Sequence, residues 1–196
     1  MLDKLYKSNF SIYFMVLGIG LLLLIGLAGL LVIIFISYFN RFAVLGNRID
    51  NSLSQIDVQL KRRADLIPNL VETVKGYAKH EKAAIKEVTD ARKALVSATG
   101  VENKIKANNQ LQSALKTIFA IAENYPDLKA NTNFLELQRE LTTTEDKISY
   151  ARQYYNDSIL SYNNLCTTFP GSIFGRKPRE YLKIAASERE NVRVEF

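Results

Sequence analysis

The sequence predicts an all-α protein: a single N-terminal transmembrane helix followed by an antiparallel up-and-down bundle of three to four long helices. Three observations carry that prediction. No charged residue occurs from Ser8 to Asn40. Downstream, apolar residues return at three- and four-residue steps, as one face of a helix requires. No segment shows sustained strand-like alternation, and only nine Gly and four Pro interrupt the 196 residues.

The first element is the run Ile12 to Ile36, IYFMVLGIGLLLLIGLAGLLVIIFI. As a helix its 25 residues span roughly 37 Å, against a hydrocarbon core of about 30 Å. Tyr13, Tyr38 and Phe39 stand near its ends, where aromatic rings favour the interface. A cleaved signal peptide has an apolar core of only about 7–15 residues before small residues, and Ser37-Tyr38-Phe39-Asn40 is a poor cleavage site. The expected division is a short flank at 1–11, a membrane helix at 12–37, a helical bundle at 41–170 and a tail at 171–196. Lys4 and Lys7 precede the span, and Arg41 and Arg48 follow it. Adding Lys61, Arg62 and Arg63 gives five against two and places the bundle in the cytoplasm, with a short extracytoplasmic N-terminus.

Leu45, Ile49, Leu53, Ile56 and Leu60 extend helical spacing directly from the membrane segment, with no intervening Pro. A second helix is expected to start near Pro68, which is tolerated in a first turn but not in a helix interior. Val74, Ile85, Val88 and Leu95 belong to it, and Gly100 ends it. A third carries Ile105, Leu111, Leu115, Ile118 and Tyr125 and stops at Pro126. The fourth is the most regular. Phe134, Leu141, Ile148, Tyr155 and Tyr162 recur every seven residues, beside a companion series Leu137, Thr144, Ala151, Ser158 and Leu165. Such a repeat keeps one stripe facing a partner helix. Asn156 and Asn163 flank it, either fixing helix register or facing water.

The tail from Gly171 is irregular, aromatic and basic, with one short helix expected near Glu180–Glu190. Its apolar residues either fold back on the bundle or dock a partner. The spacing favours a mixture, with Phe174–Tyr181 packed and the last residues from Asn191 mobile.

Several longer strings resemble the LemA family. Ser54-Gln55-Ile56-Asp57-Val58-Gln59-Leu60-Lys61-Arg62-Arg63 with Asp65-Leu66-Ile67-Pro68-Asn69-Leu70-Val71 is similar to its signature stretch. Tyr77-Ala78-Lys79-His80-Glu81 and Ala91-Arg92 extend it. A second block runs Glu123-Asn124-Tyr125-Pro126-Asp127-Leu128-Lys129-Ala130, and a third holds Ala151-Arg152, Tyr155-Asn156, Tyr162-Asn163 and Phe169-Pro170. The resemblance implies one N-terminal membrane helix, an antiparallel helical bundle, a bacterial-type membrane protein and a cytoplasmic bundle. It supplies no catalytic residue. Leu53 stands where the family often has Trp, Arg176 where an aromatic usually follows Gly, and Cys166 where an aliphatic is usual.

The chemistry-bearing residues are few. One Cys and one His cannot form a disulfide or a four-ligand zinc site. His80-Glu81 lacks a second His, since position 84 is Ala84. No phosphate-cradling Gly loop or nucleophile elbow occurs. Lone Cys166 reads as a small buried hydrophobe, with a Cys166/His80 nucleophile and base as the enzymatic alternative. Lys61-Arg62-Arg63 reads as a solvated basic face interleaved with carboxylates. Attraction to anionic headgroups is the second reading, out of range at roughly 30 Å or more if the helix is straight, unless the bundle lies along the membrane. Nucleic acid ranks last for want of an aromatic platform.

The sequence therefore predicts a non-enzymatic, single-pass, membrane-anchored interaction, recruitment or scaffolding module. Neither cofactor nor metal, nucleic acid nor small-molecule substrate is expected. The alternative is a bundle that self-assembles on the membrane surface as a homo-oligomer. The candidate interaction residues are Lys61, Arg62 and Arg63 on the bundle, and Phe174, Arg176, Lys177, Tyr181 and Phe196 in the tail.

Overall fold

The computed structural model describes residues 2–182, with side chains from Met15 onward. Phe196, the helix expected near Glu180–Glu190 beyond Leu182, and the mobility expected from Asn191 lie outside the described residues. The elements are α1 (Leu2–Tyr77), α2 (Lys82–Ser97), α3 (Val101–Ala122), the short α4 (Pro126–Lys129) and α5 (Thr132–Thr167), then a 3-10 turn at Gly171–Phe174. No strand occurs among the described residues.

The first helix has 76 residues and is about 114 Å long. Every side chain from Met15 to Ser37 is exposed. By length and composition this end is apolar enough to cross a membrane. From Phe42 onward the same helix enters the core. Phe42, Ile49, Ile56, Arg63 and Leu70 are buried at seven-residue intervals, flanked by Leu45, Ser52, Leu60, Ile67 and Val74. That stripe faces α5, whose Phe134, Leu141, Ile148, Tyr155 and Tyr162 are buried at the same interval. Equal repeats on antiparallel helices keep both stripes in register over many turns.

The expected helix start at Pro68 is not observed. The first helix runs through Pro68 to Tyr77. Pro68 has no N–H for the carbonyl of Ala64, four residues earlier. That carbonyl accepts a hydrogen bond from Arg92 Nε on α2 at 2.8 Å, so the lost backbone donor is replaced from outside the helix. The chain reverses later, at Ala78–Glu81, where the Ala78 N–H still closes onto the Val74 carbonyl at 2.8 Å. Tyr125 Oη donates to Glu81 Oε1 at 3.0 Å and ties this turn to the end of α3.

The helices reach different heights. Arg92 meets Ala64 and Lys104 meets Asp57, so the α2–α3 hairpin lies along the distal part of α1. Between Phe42 and about Ile56, α1 is accompanied by α5 and the tail. Asn131 caps α5 by accepting from the Phe134 N–H at 3.0 Å. This helix then returns the chain beside Phe42, where Phe42 and Tyr162 meet edge to face at 5.6 Å.

Candidate functional site

Three features concentrate the polar and aromatic chemistry of the chain. The first lies where α1 leaves the core toward its apolar end. Phe35, Tyr38 and Phe42 share one helix face by their spacing of three and four. The ring of Phe174 lies 5.1 Å from Phe35, 6.2 Å from Tyr38 and 5.6 Å from Phe42. Two glycines allow this approach. A Cβ on Gly171 would collide with the carbonyl oxygen of Leu165, and Gly175 has φ +59°, in the left-handed region. Phe174 is therefore half-buried, while Phe169 and Ile173 are 82% and 72% exposed.

The second feature is a pair of side-chain clamps on the tail. Asn163 Oδ1 accepts from the Arg179 N–H at 2.8 Å, and its Nδ2 donates to the Arg179 carbonyl at 2.9 Å. Asn156 holds Leu182 the same way, at 3.0 and 3.1 Å. Seven helical residues advance about 10.5 Å and three extended residues about 10 Å, so the two periods match. The tail thus runs back along α5 and buries Leu182. Arg179 lies 5.2 Å over the Tyr162 ring, and its Nη1 is 3.4 Å from Asp50 on α1. Of the two readings of Asn156 and Asn163, neither describes this bond to a backbone in extended form. Only the proximity of the tail, 16 and 26 residues downstream, reveals it.

The third feature is a buried charge. Arg63 Nη1 donates to Asn108 Oδ1 on α3 at 2.8 Å and pairs with Glu145 on α5. Burial pulls its pKa down to about 10, so the guanidinium remains charged at neutral pH. Arg63 therefore lies inside, beyond reach of another molecule. Its neighbours diverge, because successive helical residues point about 100° apart. Arg62 is exposed and bonds Glu140 at 2.6 Å, while Lys61 faces a groove between α1, α2 and α3. The sequence holds one signal for Arg63: it falls seven residues after Ile56 and seven before Leu70.

That groove encloses about 390 Å³ and is walled by Leu60, Ala64, Leu95 and Val96, with Asp57 and Lys104 paired at 2.8 Å across it. Arg92 is engaged by the Ala64 carbonyl. No group of three or more His, Cys, Asp or Glu side chains that could hold a metal occurs among the described residues. Cys166 and His80 do not meet. Tyr162, one turn before Cys166, touches Phe42, whereas His80 follows the far end of α1, about 55 Å away along the helix. Burial also raises the Cys166 pKa, keeping the thiol protonated at neutral pH. Of the remaining tail candidates, Arg176, Lys177 and Tyr181 are exposed.

Comparison with known proteins follows the same outline. A family model described as LemA family matches residues 52–196, the bundle and tail without the apolar span. Protein LemA of Metamycoplasma hominis is 26% identical over 170 residues, covering 85% of this chain and 78% of that protein. Magnetosome protein MamQ of Magnetospirillum gryphiswaldense is 25% identical over 173 residues, covering 73% of this chain and 64% of that protein. Magnetosome protein MamQ 2 of Paramagnetospirillum magneticum is 24% identical over 175 residues, with 74% and 64% covered. The chain thus spans just under two thirds of the magnetosome relatives.

Proposed function

Starting from the fact that the chain belongs to the LemA family, we propose that it is a non-enzymatic, single-pass membrane protein that holds a stiff helical bundle off the bilayer as a recruitment or scaffolding surface for membrane partners. The observation that carries this reading is the continuity of α1. One helix contains both the apolar span and the core stripe of the bundle. The bundle therefore has no flexible joint to its anchor, and its distal turn stands about 60 Å beyond Ile36. A rod of this kind positions a surface. It offers an open groove between α1, α2 and α3 across which Asp57 and Lys104 are paired.

The charge asymmetry around the span supports a cytoplasmic bundle. The exposed aromatics Tyr150 and Tyr154, one turn apart on α5, are the strongest contact candidates on the rod itself. Two measurements test the reading. In a Cys166→Ser background, Lys7→Cys should react with a membrane-impermeant maleimide on intact cells, and Lys147→Cys only after permeabilisation; the reverse pattern inverts the orientation. A photo-crosslinking residue at Tyr150 or Tyr154 in the membrane-bound protein should give discrete adducts to a membrane protein. Adducts only between copies of this chain would instead establish the self-assembling bundle. Absence of adducts from every exposed bundle position would defeat both.

A further inference from the structure

The turn after α5 carries apolar side chains that the bundle does not use. It is held firmly, by Gly171 against Leu165, by Phe174 among three rings of α1, and by Asn163 on Arg179. The same turn that directs Phe174 inward leaves Phe169 and Ile173 exposed. Their height is fixed by Phe174, whose ring stacks on Phe35 within the apolar run itself. Phe35 and Phe39 are exposed beside it.

The charges nearest the apolar run are basic: Arg41 on α1, and Arg176 and Lys177 in the tail, with Asp50 and Glu180 the first carboxylates beyond them. No Asp or Glu occurs within residues 8–49 or 158–179. The nearest described carboxylate partner is Asp50, which receives Arg179. Arg41 lies about 7.5 Å beyond Ile36, within the screening length at physiological salt, whereas Lys61 lies about 37 Å beyond it.

We propose that Phe169 to Lys177 forms an interfacial collar, a second contact with the bilayer. Phe169 and Ile173 enter the boundary between headgroups and acyl chains, and Arg176 and Lys177 contact anionic headgroups. The occupant is a lipid surface, because the patch is continuous with the apolar face of α1 and carries the complementary charge. A short apolar element with flanking cations is the usual composition of such interfacial contacts. The collar rests on the reading of α1 as the anchor. It adds a second attachment point that fixes the tilt of the rod.

The chain has no Trp, so a single introduced Trp reports one position. The full-length protein is reconstituted in phosphatidylcholine vesicles, with and without phosphatidylglycerol, containing lipids brominated near either end of the acyl chain. The Ile173→Trp probe should emit to the blue and be quenched most by bromine nearest the headgroup. Leu24→Trp, in the middle of the span, should be quenched most by bromine near the chain end, and Leu135→Trp, far along the bundle, by neither. Water-like emission from Ile173→Trp with a quenched Leu24→Trp overturns the collar and leaves the anchor standing. An unquenched Leu24→Trp overturns the anchor as well. Phosphatidylglycerol should strengthen quenching of Ile173→Trp about two-fold, and R176E/K177E should abolish that gain. A gain that survives R176E/K177E overturns the assignment of headgroup contact to those two residues.

Discussion

Replacing Arg92 with Leu should destabilise the bundle, and Pro68→Ala should remove most of that cost. The Ala64 carbonyl has no intrahelical donor because residue 68 is proline, and Arg92 Nε supplies one at 2.8 Å. Hydrogen bonds from charged donors contribute about 1.5–3 kcal/mol, and the half-exposed Arg92 belongs at the lower end, near 1.5–2 kcal/mol. Pro68 is exposed, so Ala at that position leaves no cavity. It restores an N–H at the correct distance along the helix and removes the clash of the ring with the turn before it. In the Pro68→Ala background the carbonyl is satisfied, and Arg92→Leu should cost only about 0.5 kcal/mol in residual packing. The coupling in the double-mutant cycle is then about 1–1.5 kcal/mol. Guanidinium unfolding of the detergent-solubilised full-length chain, followed by far-ultraviolet circular dichroism, measures all four corners. Equal costs of Arg92→Leu in both backgrounds, within about 0.3–0.5 kcal/mol, would refute the idea that Arg92 substitutes for the proline's missing donor.

Four further outcomes are expected. Asn163→Ala should expose the Arg179 amide to hydrogen exchange and cost about 1–2 kcal/mol, with Asn156→Ala acting likewise on Leu182; protection that survives either change contradicts the clamp. Gly171→Ala forces a Cβ onto the Leu165 carbonyl, so the near-ultraviolet signal of the Phe174 cluster should fall, and an unchanged spectrum would mean the turn has room. Glu145→Gln should cost about 3 kcal/mol by leaving the Arg63 guanidinium buried without a counter-charge, whereas replacing the whole network, Arg63→Met with Glu145→Leu and Asn108→Leu, should cost far less by denaturant titration. Tyr125 donates to Glu81, and that bond, then burial and the carboxylate charge, raises its pKa above 10.0. Neutral Tyr125 is favoured in the folded state, so the stabilisation is complete below pH 10.0 and is lost as pH rises through the folded value. In Glu81→Gln, the Tyr125 ring carbon titration followed by NMR should move back toward 10.0, and no movement would remove Glu81 as the cause.

Local patterns in the chain determine the apolar span, the all-helical class and the α5 stripe. Each depends on interactions among residues within two turns, so each leaves a period that can be read. The seven-residue series from Phe134 to Tyr162 is buried throughout because its apolar side chains meet the matching stripe of α1. Pro68 shows where such reading ends. Its local rule calls for a helix start, yet the helix continues, since the compensating donor comes from 28 residues away. Arg63 is similar: charge and neighbours place it on a basic surface, and only Asn108 and Glu145 from two other helices make its burial tolerable. Asn156 and Asn163 carry no local sign that their amides will grip an extended backbone. What the sequence determined by itself is which residues form helices and which faces turn inward. The tertiary structure alone decided where unpaired polar groups find partners, because a hydrogen bond or ion pair between distant segments imposes no spacing on either one.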